Sequence, residues 1–407
     1  MSKIISIGTQ VPPYPHRQDT VEQFMQRIYA CSPEDARKMR FLYKHCGIDT
    51  RYSVVPDYSL PAAGWVFYPP TENLEPFPSI EERMAWYNRC APGLAIKAIE
   101  NCIEGLIGPG DITHLITVSC TGLSAPGLDL QIMEAMKLSP SLFRSSVNFM
   151  GCYAAIHGLK WADALCRSDP GARVLVVCVE LCTLHFQREA SMDNIASGML
   201  FGDGAAAVLV TPDKDPRPGL RLEHFHSEVA LQGKKDMTWG LSSTGFRMTL
   251  SSYIPDLLEA DFSTLVNTAL GRAGLRSSDI RHWCIHPGGK RILEAISQSL
   301  ELQPGELEAS YSVMKDYGNM SSPTLLFVLK AIQERIARSA GRHDTGRDGR
   351  GPRQDDRASG RDDRGPRQGE PTQDGRGPAQ GAPAGEYIFG AAFGPGLTME
   401  TFIASVV

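Results

Sequence analysis

The sequence predicts an α/β protein made of two similar halves, and three observations predict it. Short apolar runs of strand length alternate with longer helix-patterned stretches. Glycine turns mark the junctions, as at Gly202-Asp203-Gly204 and Pro287-Gly288-Gly289. The strand-turn-helix order of the first half is faintly echoed in the second, so residues 1–212 and 213–407 read as paired units. The length of 407 residues suits one large duplicated fold. Charged residues make up 21% of the chain against 42% hydrophobic, the balance of an ordinary soluble protein. The net charge of -5 offers no basic field for nucleic acid. Ten cysteines without a C-x-x-C pair point to reduced thiols in the cytoplasm rather than a disulfide framework. The N-terminus lacks a signal peptide's apolar core, and no run approaches membrane-spanning length.

In chain order, residues 3–8 read as a strand. Residues 21–29 and 34–43 read as helices, the second opened by Ser32-Pro33, a cap followed by a helix-starting proline. Residues 50–55 are extended, and the Pro- and aromatic-rich 56–78 form an irregular loop. Ser79-Ile80-Glu81-Glu82 is a capping pattern for a helix expected to run in pieces to 107. Residues 114–119 are a buried strand, 127–136 a helix, 147–150 a strand, 153–166 a helix. "RVLVVCVE" at 173–180 is another buried strand, and the run after Phe201 is a further one. Helices follow at 257–273, 290–300 and 323–338, with a strand at 282–286. Residues 386–407 read as a closing hairpin. Together these imply a mostly parallel or mixed sheet with helices on both faces.

Residues 339–385 break the pattern. They hold nine Arg, seven Asp, one Glu, eleven Gly and five Pro, with "RGPRQ" at 350–354 and 364–368. Such a composition cannot bury enough apolar surface to offset ordering entropy, so the segment reads as a disordered insert in a surface loop. Its near-balanced charge argues against a nucleic-acid tether.

The chemistry-bearing residues cluster at element ends. Cys152 follows Gly151 where an apolar run meets a helix; the positive end of that helix favours a thiolate. His286 ends a buried strand. Asn319 lies in the polar turn Gly318-Asn319-Met320-Ser321-Ser322 ahead of a helix. Thiol, imidazole and carboxamide together suit a nucleophile, its charge partner and a pair of oxyanion donors. Cys178, Cys182 and His185 do not make a metal site on this pattern, since zinc wants four ligands and no second pair is nearby.

Five blocks carry a family resemblance: "NFMGCYAAIHGL", "LFGDGAAAVLV", "CIHPGGKRIL", "DYGNMSSPTLLFVL" and "FGPGLTMETF". They resemble the type III polyketide synthases, the chalcone-synthase-like branch of the thiolase-fold enzymes, over nearly the whole chain outside 339–385. The resemblance implies a duplicated αβαβα layered fold and a homodimer with Met150 and Ala125 near the subunit contact. It implies coenzyme A thioesters as substrates, with no bound cofactor or metal. Cys152 would carry the acyl chain, His286 would hold it as thiolate in an ion pair, and Asn319 would join His286 in stabilising the enolate formed from malonyl-CoA. Phe201 matches a gatekeeper between entrance and cavity, and Gly394-Pro395-Gly396 a cavity-shaping loop. Ser321 falls beside the catalytic asparagine. Met248 stands where the family has a second gatekeeper phenylalanine, and Ala392 where a glycine is common. Cys120, Thr121, Cys182, His185 and Trp239 fall on cavity positions that the plant enzymes fill differently, Trp239 replacing a small residue. A bacterial-type enzyme releasing a pyrone or resorcinol from an aliphatic starter is therefore expected. Lys38, Lys44, His45 and Arg51 would line a coenzyme A entrance, where phosphates favour cations.

Three other readings share parts of this pattern. A ketoacyl carrier-protein synthase shares the Cys, His and Asn but not the gatekeeper block. A cysteine hydrolase would carry a C-G-[SA]-C-[WY] signature, which is absent. A non-catalytic scaffold would not need all three polar residues intact.

Overall fold

Alternation along one strand sets the layers. Every residue of Val174–Leu181 is buried, yet Val174, Val176 and Cys178 join one apolar cluster while Leu175, Val177, Val179 and Leu181 join another. A strand sends successive side chains to opposite faces, so this one is covered on both sides. The structure is a computed structural model, and it describes residues 1–251, 254–344 and 386–407.

The strands are β1 (Ser2–Gln10), β2 (Tyr14–Arg17), β3 (Thr50–Ser53), β4 (His114–Ser119), β5 (Phe143–Asn148), β6 (Val174–Leu181), β7 (Asp203–Pro212), β8 (Leu220–Val229), β9 (Met237–Ser242), β10 (Gly245–Leu250), β11 (Ile280–Ile285), β12 (Tyr387–Gly394) and β13 (Thr398–Val406). The helices are α1 (Gln18–Ile28), α2 (Pro33–His45), α3 (Ile80–Ile103), α4 (Leu128–Met136), α5 (Ala154–Ser168), α6 (Met192–Leu200), α7 (Ile254–Arg272), α8 (Lys290–Ser299), α9 (Glu308–Tyr317) and α10 (Ser322–Asp344).

Nine strands form one sheet in the order β11-β12-β13-β8-β1-β7-β6-β4-β5. The chain folds this sheet about its own middle. Helices α5 and α10 share an apolar cluster with Ile4, Val118 and Val176 of one half-sheet and with Ile388, Ala392 and Phe402 of the other. Helix α3 covers the far side of the first half. Helices α7 and α8 pack with Phe389, Ala391 and Phe393 on the far side of the second. The result is the expected αβαβα layering. The sheet is mixed: β4 pairs in parallel with β5 and β6, and β11 with β12. The contacts of β1 with β7 and β8, β6 with β7, and β13 with β12 and β8 are antiparallel. Strand-helix alternation alone implies more parallel pairing. The difference comes from β8 and from the β12–β13 hairpin, which return without a crossover helix.

Local signals act as the sequence dictates. Ser79 and Glu82 form a reciprocal capping box, the Glu82 carboxylate accepting from the Ser79 N–H at 2.7 Å. Helix α3 is one piece with Pro92 inside it, ending at Ile103 rather than running in fragments to 107. Ser32 caps α2 by accepting from Asp35 N at 3.1 Å. Helix α10 continues past 338 to Asp344, so the charged segment read as 339–385 begins in a helix; its residues 345–385 lie outside the described residues.

The layering brings distant parts of the chain to one place. The turn between β5 and α5 packs against β12 and α10, and the turn between α6 and β7 bridges Asn319 ahead of α10. Both halves therefore meet at the N-terminal ends of the two central helices.

Candidate active site

Cys152 lies in a single tight turn, Gly151–Tyr153, that feeds directly into α5. Gly151 has φ +78°, and a Cβ there would sit 2.3 Å from Pro395 Cδ. Both facts require glycine. Its N–H donates to the Cys120 sulfur at 3.0 Å. Cys152 is buried, and burial pushes its thiol up to about 12, against hydrogen bonding from the Ser321 and Asn319 side chains. Burial thus opposes the thiolate that the helix end favours.

Asn319 is held from four directions. Its N–H donates to Leu200 O and its carbonyl accepts from Gly202 N, each at 2.9 Å. Its side-chain oxygen accepts from Ser321 N at 2.8 Å, and its Nδ2 donates to Gly288 O at 3.3 Å. The approach is tight because residue 318 is glycine at φ +69°: a Cβ there would lie 2.9 Å from Leu200 O. The carboxamide thus joins the Cys152 thiol to the turn after His286.

His286 follows β11, its N–H donating to Ala391 O at 2.8 Å. The ring is 1% exposed. Among the described residues, neither ring nitrogen has a hydrogen-bond partner. Burial alone pulls its pKa down to about 3. Both shifts run in the direction of a neutral thiol and a neutral imidazole.

A cavity opens beside the thiol. Of the residues singled out from sequence, Cys120, Thr121, Cys152, Cys182, His185, Phe201, Trp239, Met248, Ser321 and Pro395 line it. Gly394 instead lies behind Tyr153, where a Cβ would come within 2.5 Å of the Tyr153 ring. Trp239 and Met248 face each other as a Cα pair of the β9–β10 hairpin. Trp239 donates from Nε1 to Cys120 O at 2.8 Å. His185 Nε2 donates to Thr121 O at 2.7 Å, and its Nδ1 accepts from Phe246 N at 3.1 Å. That second bond leaves Nε2 as the donor. Burial pulls the His185 pKa down to about 3, so it is a neutral wall stacked on Phe246 at 4.3 Å. Cys178 faces the central helices, away from the cavity that Cys182 and His185 line.

The proposed coenzyme A cations separate. Lys38 pairs with Glu34 at 2.8 Å, and Lys44 and His45 are exposed on α2. Arg51 is not with them: it is 5% exposed and lines the cavity itself. Its burial comes from α6 and the turn before α10, which the local sequence does not reveal.

Sequence reasoning missed two buried acids. Glu180 ends β6, accepting from Cys120 N at 2.9 Å, Thr121 Oγ1 at 2.8 Å and Ser322 Oγ at 2.7 Å. Burial raises it to about 7 despite those bonds. Its signal was present as the one carboxylate inside an eight-residue apolar strand. Asp203, after Phe201-Gly202, accepts from Val54 N at 2.9 Å and Thr183 N at 2.8 Å and is raised to about 6 by burial.

A buried thiol, a carboxamide that acts on it and is bonded to the turn after a buried imidazole, and a cavity beside the thiol fit an acyl-transferring condensing site, with Asn319 and His286 set behind the residues that line the cavity. Residues 1–214 match the N-terminal domain of chalcone and stilbene synthases and residues 224–351 the C-terminal domain. The chain therefore belongs to the chalcone and stilbene synthase family, the type III polyketide synthases, which are acyltransferases that form carbon–carbon bonds. It is 30% identical to a putative chalcone synthase of Bacillus subtilis over 81% of this chain and 90% of the other. It is 33% identical to an alpha-pyrone synthesis polyketide synthase-like protein of Mycobacterium tuberculosis over 66% of this chain and 69% of the other. It also matches a probable polyketide synthase 1 of Dictyostelium discoideum, spanning about 10% of that protein's length. Among solved structures, a polyketide synthase from the brown alga Ectocarpus siliculosus shares the fold with TM-score 0.83 at 24% identity, covering 100% of this chain and 98% of that one. The C-terminal type III domain of a Dictyostelium hybrid synthase gives TM-score 0.79 at 25% identity, covering 100% and 99%.

Proposed function

We propose that Cys152 takes an aliphatic acyl starter from its coenzyme A thioester and extends it by decarboxylative Claisen condensation with malonyl-CoA, releasing a cyclised pyrone or resorcinol. The observation that carries this reading is the Asn319 carboxamide, which acts on the Cys152 thiol and is bonded to the turn after His286.

The neutral resting state sets the order of events. The Cys152 proton moves to a His286 ring nitrogen as sulfur bonds to the acyl carbonyl. The imidazolium returns that proton to the departing coenzyme A thiolate. Charge is thus created only when substrate fills the chamber, where fixed dipoles replace solvent. Malonyl-CoA then loses carbon dioxide. The His286 N–H and Asn319 Nδ2 stabilise the enolate oxygen, and the enolate carbon attacks the Cys152 thioester with sulfur leaving. Trp239, Phe246 and His185 narrow the wall and favour a linear chain over a planar aromatic one. Phe201 and Met248 gate the chamber; Gly394 backs Tyr153 rather than lining it.

Two wider features fit the same reading. Strand β5 ends the sheet, and Phe143 on it and Leu123 nearby are exposed, which supports a homodimer through this edge. All ten cysteines are free, which supports a reducing cytoplasm. Among the described residues no helix is long and apolar enough to cross a membrane.

The test is incubation with malonyl-CoA and a panel of acyl-CoAs, without carrier protein, reading product masses. Masses of starter plus two-carbon units are expected. Free starter acid with no extension would favour hydrolysis, and a strict need for carrier protein would favour a fatty-acid-type synthase.

A further inference from the structure

Arg51 is a buried cation with no carboxylate of the described residues at ion-pair distance, and it lines the chamber that holds Cys152. Its stem is wedged by glycines: a Cβ on Gly318 would lie 2.9 Å from Arg51 Cγ, and one on Gly202 would lie 3.6 Å from Arg51 Cβ. Its Nη1 donates to Phe201 O at 2.6 Å. Its Nε is buried with no hydrogen-bond partner among the described residues. No carboxylate of the described residues reaches ion-pair distance. Asp203 is the acid whose charge acts on it, but that carboxylate is already occupied by Val54 N and by the N–H and hydroxyl of Thr183.

Arg83 supplies a contrast. It too is buried, yet it donates to Pro78 O and Leu184 O and sits over the Phe77 ring at 4.7 Å. It does not line the chamber. Arg83, one of whose nitrogens is likewise left without a partner, stands away from the chamber; Arg51 lines it, and among the described residues its guanidinium is bonded only to Phe201 O. A guanidinium remains protonated in such a place and matches a planar carboxylate.

We propose that Arg51 receives the free carboxylate of the extender acyl group. This rests on the proposed polyketide synthase reading, which supplies a malonyl thioester. The location fits. Arg51 bonds the Phe201 carbonyl, Phe201 bridges Asn319, and Asn319 acts on the Cys152 sulfur. A carboxylate held there keeps the other end of a short acyl group at the enolate donors. Holding the carboxylate stabilises the bound ground state, so the gain lies in capturing malonyl-CoA rather than in the loss of carbon dioxide. Starters, which lack the carboxylate, gain nothing from it.

The experiment compares the two substrates in the full-length protein. Arg51→Met should raise KM for malonyl-CoA about tenfold or more, the worth of one charged hydrogen bond, while KM for hexanoyl-CoA changes less than twofold. Arg51→Lys should recover most of the loss. A wedge that merely braces Phe201 would move both KM values together, and that result overturns the proposal. A second arm needs no substitution. In the unaltered protein, succinyl-CoA should compete with malonyl-CoA at least tenfold more strongly than butyryl-CoA of the same chain length. Equal competition overturns the proposal even if Arg51→Met does not fold. Product formation by the unaltered protein separates the two layers: no extended product removes the synthase reading, whereas product with substrate-independent effects of Arg51 removes only this inference.

Discussion

The Pro395 ring packs against the bare Cα of Gly151, so closely that a methyl group added there would lie 2.3 Å from Cδ. One contact thereby joins the loop between β12 and β13 to the turn that holds Cys152, and the two halves of the chain to each other.

Gly151→Ala should consequently damage both fold and site. The backbone angle of +78° and the ring contact each oppose a side chain, and strain of this kind costs about 1–3 kcal/mol. A lowered melting temperature and at least a tenfold loss of malonyl-CoA turnover are expected, the latter an order-of-magnitude figure for a displaced nucleophile. Adding Pro395→Ala should restore part of the melting temperature. Thermal melts of the single and double variants check this; additive losses would count against the contact.

The neutral thiol predicts slow alkylation. With Cys152 pushed up to about 12, the thiolate fraction at neutral pH is small. Labelling of the Cys152 peptide by iodoacetamide should climb steadily from pH 7 to pH 10 without a plateau. His286, pulled down to about 3, should add no inflection between pH 5 and 8. A plateau reached below pH 8 would show a stable thiolate and contradict the neutral pair.

Glu180 predicts a pH-dependent stability. Its folded pKa is raised from 4.5 to about 7. Below pH 4.5 the acid is protonated in both states and costs nothing. As pH rises toward 7 the unfolded chain ionises first, and stability is lost, by up to about 3 kcal/mol at full ionisation. Glu180→Gln removes that loss, its amide donating to the Ser322 hydroxyl while its oxygen accepts from Cys120 and Thr121. The variant should therefore gain on the parent in melting temperature between pH 5 and 8. A difference that stays constant with pH would exclude titration of this acid.

Trp239 predicts product range. Trp239→Ala removes a wall held to Cys120 O by the indole N–H. Bulkier or aromatic acyl-CoAs should then be extended that the parent rejects, read as new product masses from the same panel. An unchanged product set would mean that the indole does not bound the chamber in use.

Much of this site was legible along the chain because its parts sit in short, strongly marked turns. Cys152, His286 and Asn319 each follow a glycine, end a buried strand or precede a helix, and those signals are local. Strand β8 was not legible: "LRLEHFHSEV" is too charged to read as a strand, and it forms because β1 and β13 flank it. The β9–β10 hairpin, α6 and α9 were missed for similar reasons, being short and set by packing rather than period. Arg51 reads from sequence with Lys38, Lys44 and His45 as lining a coenzyme A entrance. Its burial depends on Phe201 and Gly318, each far away in sequence, and no local pattern reports such a contact.

The central claim is that Cys152 carries the acyl chain. Intact-protein and peptide mass spectrometry after brief mixing with hexanoyl-CoA tests it most directly. A hexanoyl increment is expected on the Cys152 peptide, disappearing on adding malonyl-CoA as extended product emerges, with both absent in Cys152→Ala. Extended product from Cys152→Ala, or an increment found on Cys120 or Cys182 instead, would contradict it.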